Sequence, residues 1–567
     1  MPAELDPGTL RGPTETGWRG APLVLSAVML LAALVRLPGL DQAPPGLHQD
    51  EAVNAWNACC LIHKGCDQFG VRWPVFCMRA IGDFRSTLYT YSQIPFQAIG
   101  GMNAWTIRLP AALGGILTVG LLYVIGRRLF GWRVGLIAAL LLAINPTHIQ
   151  LSRLGLEAAQ TPLLILLAFV SLLWAGFPLG DGEVRIRPGR AVVAGLVTGM
   201  CCYGYPAVRL FLPLFLTACV LCTWTAWWGL LKSRRGVLAL LGLAVAVGVT
   251  FGPLAYKHIA EPEVIGKRGR TTWIWKADDS AATRAELVLR RYAMHFDPRV
   301  MFISGDQDET FWTVPLGFVP RYLAPLLLLG LLATVPRIRA SRAARVVLVG
   351  VVLYPIADAT NWHVSMHGLR CSSGLAWLVL LGAVGLSRTS DFLGARQLRA
   401  SRLALGMALV GLIVMDSVEF TRRYCWERTL RLPTYYGTHM DLLEACAWLE
   451  PRLGEVDRVI SFATGPNPGY TPYLMTLVRL RHSPEQWFAE PRVVDTSGLW
   501  DRTSQYGKFH FLNADERAEL VSQLRSDGKD ERVVFFLRAN DPAPCTPAAC
   551  VHAPDGSSAI VIYDCRL

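Results

Sequence analysis

The chain has 567 residues, of which 52% are hydrophobic and 17% charged, with a mean hydropathy of +0.34 and a net charge of +12. A soluble protein of this length carries charged residues nearer about 25%, so the composition excludes an ordinary soluble enzyme and points to a polytopic membrane protein. The positive charge does not read as a nucleic-acid interface, because the arginines are spread over short loops between apolar segments rather than gathered on one aromatic-studded face.

Residues 1–20 form an N-terminal tail. The first apolar run, about 21–37, is ended by Pro38-Gly39 and Pro44-Pro45-Gly46. No small-residue cleavage site follows it, so it reads as a retained first span. Further apolar runs lie at about 106–126, 134–145, 158–177, 191–203, 207–231, 237–256, 321–335, 346–357, 371–387 and 403–418. Several are shorter than the roughly 20 residues of a span. With polar ends extending them inside a bundle, the expected count is about eleven.

Loop charges orient the spans. Arg127, Arg128 and Arg133 lie in one loop, and Arg185, Arg187 and Arg190 in the next but one. Lys232, Arg234 and Arg235 follow, then Arg337, Arg339, Arg342 and Arg345, then Arg388, Arg396, Arg399 and Arg402. Every second loop is basic, the cytoplasmic signature. The N-terminus is therefore expected inside, with the loop carrying Asp50 and the tail after Glu419 outside. The predicted fold is a mostly α membrane domain, 21–419, with a C-terminal extracytoplasmic α/β domain, 420–567.

Within 21–419, the first outer loop spans 39–105. Asp50 to Lys64 has helix-compatible composition, with Ala52, Trp56, Cys59, Cys60 and His63 near one face. This predicts an amphipathic helix lying along the membrane surface. Ser86 to Ile99 is apolar and aromatic but broken by Pro95, and either re-enters the membrane or packs on it. The second large outer loop, 257–320, holds Lys267-Arg268-Gly269-Arg270, a helix around Ala282 to His295, and the turn-like Ser304-Gly305-Asp306-Gln307-Asp308. In the tail, Asp441 to Leu453 and Ala514 to Arg525 read as helices. Arg458 to Ala463, Arg532 to Leu537 and Ala559 to Tyr563 read as strands, an α/β alternation. No internal repeat of the transporter kind is visible.

Cys201, Cys202, Cys219, Cys222 and Cys371 fall in or beside spans and read as packing residues. Cysteines of the outer loop and tail sit where disulfides are permitted. Cys545 and Cys550, flanked by prolines, are the first pair to test. No CxxC or paired-histidine pattern points to zinc.

The chemistry-bearing residues begin with His48-Gln49-Asp50-Glu51, two adjacent carboxylates at a membrane surface where ionisable groups are costly. A carboxylate there could take a proton from an acceptor, and nearby cations could hold a phosphate as charge develops. The same two acids could instead cap the helix that follows, and the residues alone leave both readings open. Arg85 and Arg153 could bind phosphate or snorkel at span ends. Glu157, four residues after Arg153, would share a helical face with it and could form a neutralising pair. His363 and His367 share that spacing, but no carboxylate completes a metal site with them.

Asp50-Glu51 is followed by Gly82-Asp83-Phe84-Arg85-Ser86-Thr87-Leu88-Tyr89-Thr90-Tyr91 and then by Arg108-Leu109-Pro110-Ala111-Ala112-Leu113. Next come Asn145-Pro146, Leu151-Ser152-Arg153 and Glu157, then Phe296-Asp297-Pro298 with Phe302-Ile303-Ser304-Gly305-Asp306, and finally His367-Gly368-Leu369-Arg370. This ordered set, covering about 20–390, resembles bacterial GT-C glycosyltransferases, the protein O-mannosyltransferase group and the lipid A aminoarabinose transferases. The resemblance implies a GT-C fold and a polyprenyl-phosphate-linked sugar as donor. It further implies inverting transfer to a glycan, lipid or protein acceptor on the outer face of a bacterial inner membrane. It makes Asp50 the base, with Glu51 and Glu157 beside it as catalytic carboxylates. Arg85, Arg153, Arg370 and Tyr89 would bind the donor phosphate or lipid, and His48, Asp306 and His367 would support the acceptor or the loops. Arg85 stands where many relatives have a lysine followed by two prolines, here replaced by Ser86 and Thr87. No metal ligand set is assigned, and divalent-metal dependence is left open. The rival readings are a lipid-linked sugar flippase, which expects charges near mid-membrane, and a polysaccharide polymerase or ligase, whose large outer loop lies late in the chain.

Overall fold

The apolar runs fold as helices. The computed structural model describes residues 18–262, 272–306, 316–362, 366–427, 430–463, 471–495 and 501–567. Among these, five helices are long and apolar enough to cross a membrane: Ala104–Phe130, Glu157–Ala175, Arg234–Ala260, Gly368–Ala395 and Arg399–Glu427. Pro206–Cys222 and Trp224–Leu231, bent by 83°, make a sixth if taken as one span. Ala21–Leu34, Trp132–Ala143 and Leu323–Arg337 are shorter apolar helices. Length and composition alone thus support five or six spans of the eleven expected.

The chain divides into two compact units. The first comprises residues 1–38, 111–307 and 315–421. Its centre is the helix Gly368–Ala395, whose apolar stretch is almost wholly buried, whereas Arg399–Glu427 leaves most of its apolar surface uncovered. Helices approach closely where glycines remove side chains. A Cβ on Gly195 would lie 2.6 Å from the Leu243 carbonyl oxygen, and one on Gly199 would lie 1.9 Å from Thr250 Oγ1. Small residues four apart let helix backbones meet in this way, which is how membrane helices gain packing without a hydrophobic drive between them.

The second unit comprises residues 39–110, 308–314 and 422–567. The segment assigned by sequence to the first outer loop shares one hydrophobic core here with the C-terminal region, from Trp56 and Ile107 to Leu442, Leu474, Trp487 and Phe536. The helix Gln49–Lys64 is correspondingly not amphipathic in its surroundings. Trp56, expected at a membrane surface, is 0% exposed and packs edge-on against Trp487 with ring centroids 5.9 Å apart. The segment 86–99 forms the helix Leu88–Gly100.

β1 (Met78–Ala80) and β2 (Asp83–Arg85) form a small hairpin. The C-terminal sheet contains β3 (Arg458–Phe462), β4 (Arg492–Asp495), β5 (Arg502–Tyr506), β6 (Phe509–Leu512), β7 (Arg532–Leu537), β8 (Pro547–His552) and β9 (Ser558–Arg566). Its order is β4-β5-β6-β3-β7-β9-β8, with β3 parallel to β6 and β7 and the outer pairs antiparallel. The helix Ala514–Asp527 lies in sequence between β6 and β7, the usual crossover for strands running the same way. A disulfide joins Cys545 to Cys565, not Cys545 to Cys550. Cys550 lies in β8 on the neighbouring edge strand, and proximity in sequence did not decide the partner.

Candidate active site

In the second unit the two carboxylates have different surroundings. His48 ends the extended chain before the helix Gln49–Lys64, and its Nδ1 accepts from the Asp50 backbone N–H at 3.1 Å. Glu51 Oε2 accepts from the His48 N–H at 3.0 Å, completing a capping box. Arg108 then grips Glu51 with two bonds, Nε to Oε1 at 2.7 Å and Nη2 to Oε2 at 2.9 Å. The rest of that guanidinium donates to three carbonyls of the preceding turn, those of Leu40, Pro44 and Gly46, at 2.7–2.8 Å. Glu51 and Arg108 are both 0% exposed. A buried pair of this kind persists because its remaining hydrogen-bonding capacity is met. Its effect is to fix the turn 39–46 against the start of the helix. Gly46, at φ +66°, sits where a Cβ would collide with the Thr438 carbonyl oxygen.

Asp50 points elsewhere. Its Oδ1 accepts from Arg85 Nη2 at 2.5 Å. Arg85 is the last residue of the β1–β2 hairpin, so the hairpin delivers the guanidinium and the helix start delivers the carboxylate. The Asp50 side chain retains about 12% of its accessible surface, against none for Glu51. The Tyr89 hydroxyl donates to the Ile107 carbonyl at 2.9 Å, which ties the two helices that begin at Leu88 and Ala104. The next residue, Thr90, donates to Asn54 Oδ1 at 3.1 Å. His439 lies under the same turn, its Nδ1 3.2 Å from the Leu47 carbonyl. Burial holds its imidazole down at about 3, so it is neutral at ordinary pH.

The first unit holds the other candidates. Arg153 is buried and donates from Nη1 to the Arg36 carbonyl at 2.9 Å. Arg36 bonds the carbonyls of Ala32, Leu142 and Ala143 and meets His148 Nδ1 at 2.8 Å. The helix Pro146–Leu151 ends before Arg153, and Glu157 opens a separate 3-10 turn, Glu157–Gln160. The two therefore do not share a face of one helix, because the chain turns between them. Glu157 is buried.

Asp306 and His367 meet at the start of the helix Gly368–Ala395. Asp306 Oδ2 accepts from the Gly368 N–H at 2.7 Å and lies 3.9 Å from His367 Nδ1. A carboxylate at a helix N-terminus meets the orphan N–H groups and the positive end of the dipole. Asp358, which the sequence analysis did not single out, accepts from the His367 N–H at 3.0 Å, His295 Nε2 at 2.9 Å and Arg291 Nη2 at 3.3 Å. Arg370 Nη1 is 3.7 Å from its other oxygen. Asp358 thus links three segments and sets the surroundings of Arg370. The one available signal was an acid directly after an apolar run, which is costly unless paired. The ligand atoms of His295, Asp358 and Cys371 lie within 4.8 Å of one another and are buried. Two arginines converge on the same carboxylate, which makes the cluster an ion-pair hub rather than a cation cage. His363 and residues 267–270, 307 and 308 lie outside the described residues.

Residues 86–251 match the family model of dolichyl-phosphate-mannose-protein mannosyltransferases. No curated protein gives a significant sequence match. Among solved structures, ArnT from Cupriavidus metallidurans bound to undecaprenyl phosphate shares the fold. Its TM-score is 0.54 and its identity 14%, over 96% of this chain and 98% of its own. ArnT of the same organism in the apo state aligns over the same shares at 0.53 and 14%. The Archaeoglobus fulgidus oligosaccharyltransferase in the apo form aligns over 81% of this chain and 64% of its own, at TM-score 0.48 and 14% identity. Over residues 86–251 the chain is thus similar to the mannosyltransferase family, and over nearly its whole length it shares the fold of ArnT.

Proposed function

We propose that the chain transfers a sugar from a polyprenyl-phosphate carrier to an acceptor hydroxyl or phosphate on the outer face of a bacterial inner membrane, with inversion. The observation that carries this reading is the Asp50–Arg85 pair at the start of the helix Gln49–Lys64. It joins a buried carboxylate that keeps about 12% of its side-chain surface to a guanidinium able to take a phosphate in bidentate fashion. Asp50 receives the proton as the acceptor oxygen attacks the anomeric carbon. The bond from that carbon to the phosphate oxygen breaks, and its electron pair leaves with polyprenyl phosphate. Arg85 is shared between Asp50 and donor phosphate, so donor binding is coupled to release of the carboxylate.

Glu51 acts through Arg108 as a positioning residue, since both its oxygens are engaged there. His48 sets the helix start, and Tyr89 sets the entry of the helix Ala104–Phe130. Arg153 and Arg370 are read as further phosphate or lipid contacts, Glu157 as a second carboxylate, and Asp306 and His367 as loop supports. Reading the apolar helices Pro188–Cys201 and Arg342–Leu353 as spans, with those already described, restores the count of about eleven. The N-terminus then lies in the cytoplasm. Lipid carrier and acceptor are the expected partners, and the acceptor class is a glycan, lipid or protein. The ArnT structure bound to undecaprenyl phosphate supports the carrier assignment by analogy of fold.

The test is transfer by purified protein reconstituted in vesicles with a polyprenyl-phosphate sugar. The expected result is a glycosylated acceptor whose anomeric configuration is opposite to the donor's. Movement of intact lipid-linked sugar across the bilayer without bond cleavage would instead establish a flippase.

A further inference from the structure

A second charged site in the first unit is built from none of the residues placed in the proposed transfer site. The turn between the helices Thr161–Ala175 and Pro188–Cys201 encloses a cavity of about 310 Å³. Arg128, Arg185, Arg187, Arg190, Trp174 and Glu183 line it. The lining thus holds four arginines and one carboxylate, and Glu183 is itself bonded to Arg185 at 2.7 Å. The tendency of basic residues to gather at cytoplasmic span ends accounts for their presence in this loop. It does not account for a concavity lined by them, which needs a folded loop.

The loop is folded. Gly176 takes φ +91°, and a Cβ there would lie 2.1 Å from the Arg185 carbonyl oxygen, so the chain doubles back onto itself at that point. The Arg187 N–H closes the turn on the Ala175 carbonyl at 3.0 Å. Asp181 anchors the far side, accepting from Ser341 Oγ and the Arg342 N–H, both at 2.6 Å, while Arg342 Nη2 returns a bond to the Gly182 carbonyl at 2.8 Å. Arg190 lies over the Trp174 ring, 4.5 Å from its centre.

An apolar cavity of about 320 Å³ adjoins the same turn, with Leu172, Leu179 and Trp227 in its wall. Trp227 stacks on Phe177, which lines the basic cavity, at 5.1 Å between ring centres. One ring pair therefore separates a cationic cavity from an apolar one.

We propose that this pair of cavities binds an anionic phospholipid of the leaflet opposite the catalytic face, its phosphate among the arginines and an acyl chain in the apolar cavity. Basic pockets between spans are suited to anionic headgroups, and a soluble phosphate would have no use for the apolar half.

The test is native mass spectrometry of the full-length protein in detergent, titrated separately with phosphatidylglycerol, phosphatidylcholine and polyprenyl phosphate. The triple variant Arg185→Gln/Arg187→Gln/Arg190→Gln is compared with Arg234→Gln/Arg235→Gln/Arg339→Gln, which removes equal charge from exposed positions elsewhere. The expected result is phosphatidylglycerol binding weakened about tenfold or more in the first variant and unchanged in the second. The exposed single variant Arg187→Gln, expected to show a smaller loss, serves if the triple variant unfolds. Equal loss in both triple variants, no loss in either, displacement by inorganic phosphate alone, or loss confined to polyprenyl phosphate would overturn the proposal.

Discussion

Two adjacent acids meet opposite fates. Glu51 is sealed against Arg108, and removing one member of a buried pair leaves the other charge unmet, at a cost of about 3–5 kcal/mol. Arg108→Ala and Glu51→Gln are therefore expected to lower stability by that order, read as a large drop in the thermal midpoint of the detergent-solubilised protein. Asp50→Asn, where the side chain keeps about 12% of its surface and the amide oxygen can still accept from Arg85, should lower the midpoint less than Glu51→Gln does. A drop as large as that of Glu51→Gln would contradict the division of roles. At Arg85, alanine should raise the donor KM, and lysine should recover part of the loss because it keeps the charge but not the fork. Donor KM values equal to the parent's in both variants would remove Arg85 from the donor site. The sequence made Asp50 and Arg85 legible through their ordered motifs. It showed Arg108 only as part of a motif, because a partner 57 residues away leaves no periodic trace. Asp358 escaped for the same reason, since a single acid linked to His295, Arg291 and Arg370 has no local pattern.

At the level of elements, strands β3, β7 and β9 were readable because runs such as Arg532–Leu537 are β-branched and aromatic and buried on both faces. β4, β5 and β8 were not, because segments such as Arg502–Tyr506 are short and polar and owe their conformation to their sheet partners. Trp56 misled for a related reason. A tryptophan on a helix beside a span suits a membrane surface equally well, and only the distant Trp487 shows that it is core. The Cys545–Cys565 disulfide closes a loop of 20 residues in sequence, worth about 3 kcal/mol by loop entropy. Cys545→Ser with Cys565→Ser is expected to lower the thermal midpoint of the folded protein, whereas Cys550→Ser should not. Peptide mapping without reduction should recover the 545–565 cross-link, and recovery of a 545–550 link would refute the pairing.

At the scale of the molecule, the unit that carries Asp50 also carries the buried imidazoles of His439 and His510 and the half-buried one of His482. Burial holds His482 and His510 down at about 4 and His439 at about 3. In the unfolded chain a histidine titrates near about 6.5, so on acidification the unfolded state takes up protons first. Stability from these groups is complete above about pH 6.5 and falls as pH drops from there toward 4. The thermal midpoint should decline over that interval, and His510→Gln should shallow the decline. A midpoint independent of pH there would show that these side chains are not buried as described.

The proposed chemistry rests on the Asp50 carboxylate, and a paired measurement on one variant separates its part in turnover from donor binding. Asp50→Asn protein is assayed for binding of a radiolabelled polyprenyl-phosphate sugar and for its transfer to acceptor. Loss of a base is expected to lower turnover by about 100-fold or more while donor binding is retained. Full transfer activity in the Asp50→Asn protein would contradict the assignment.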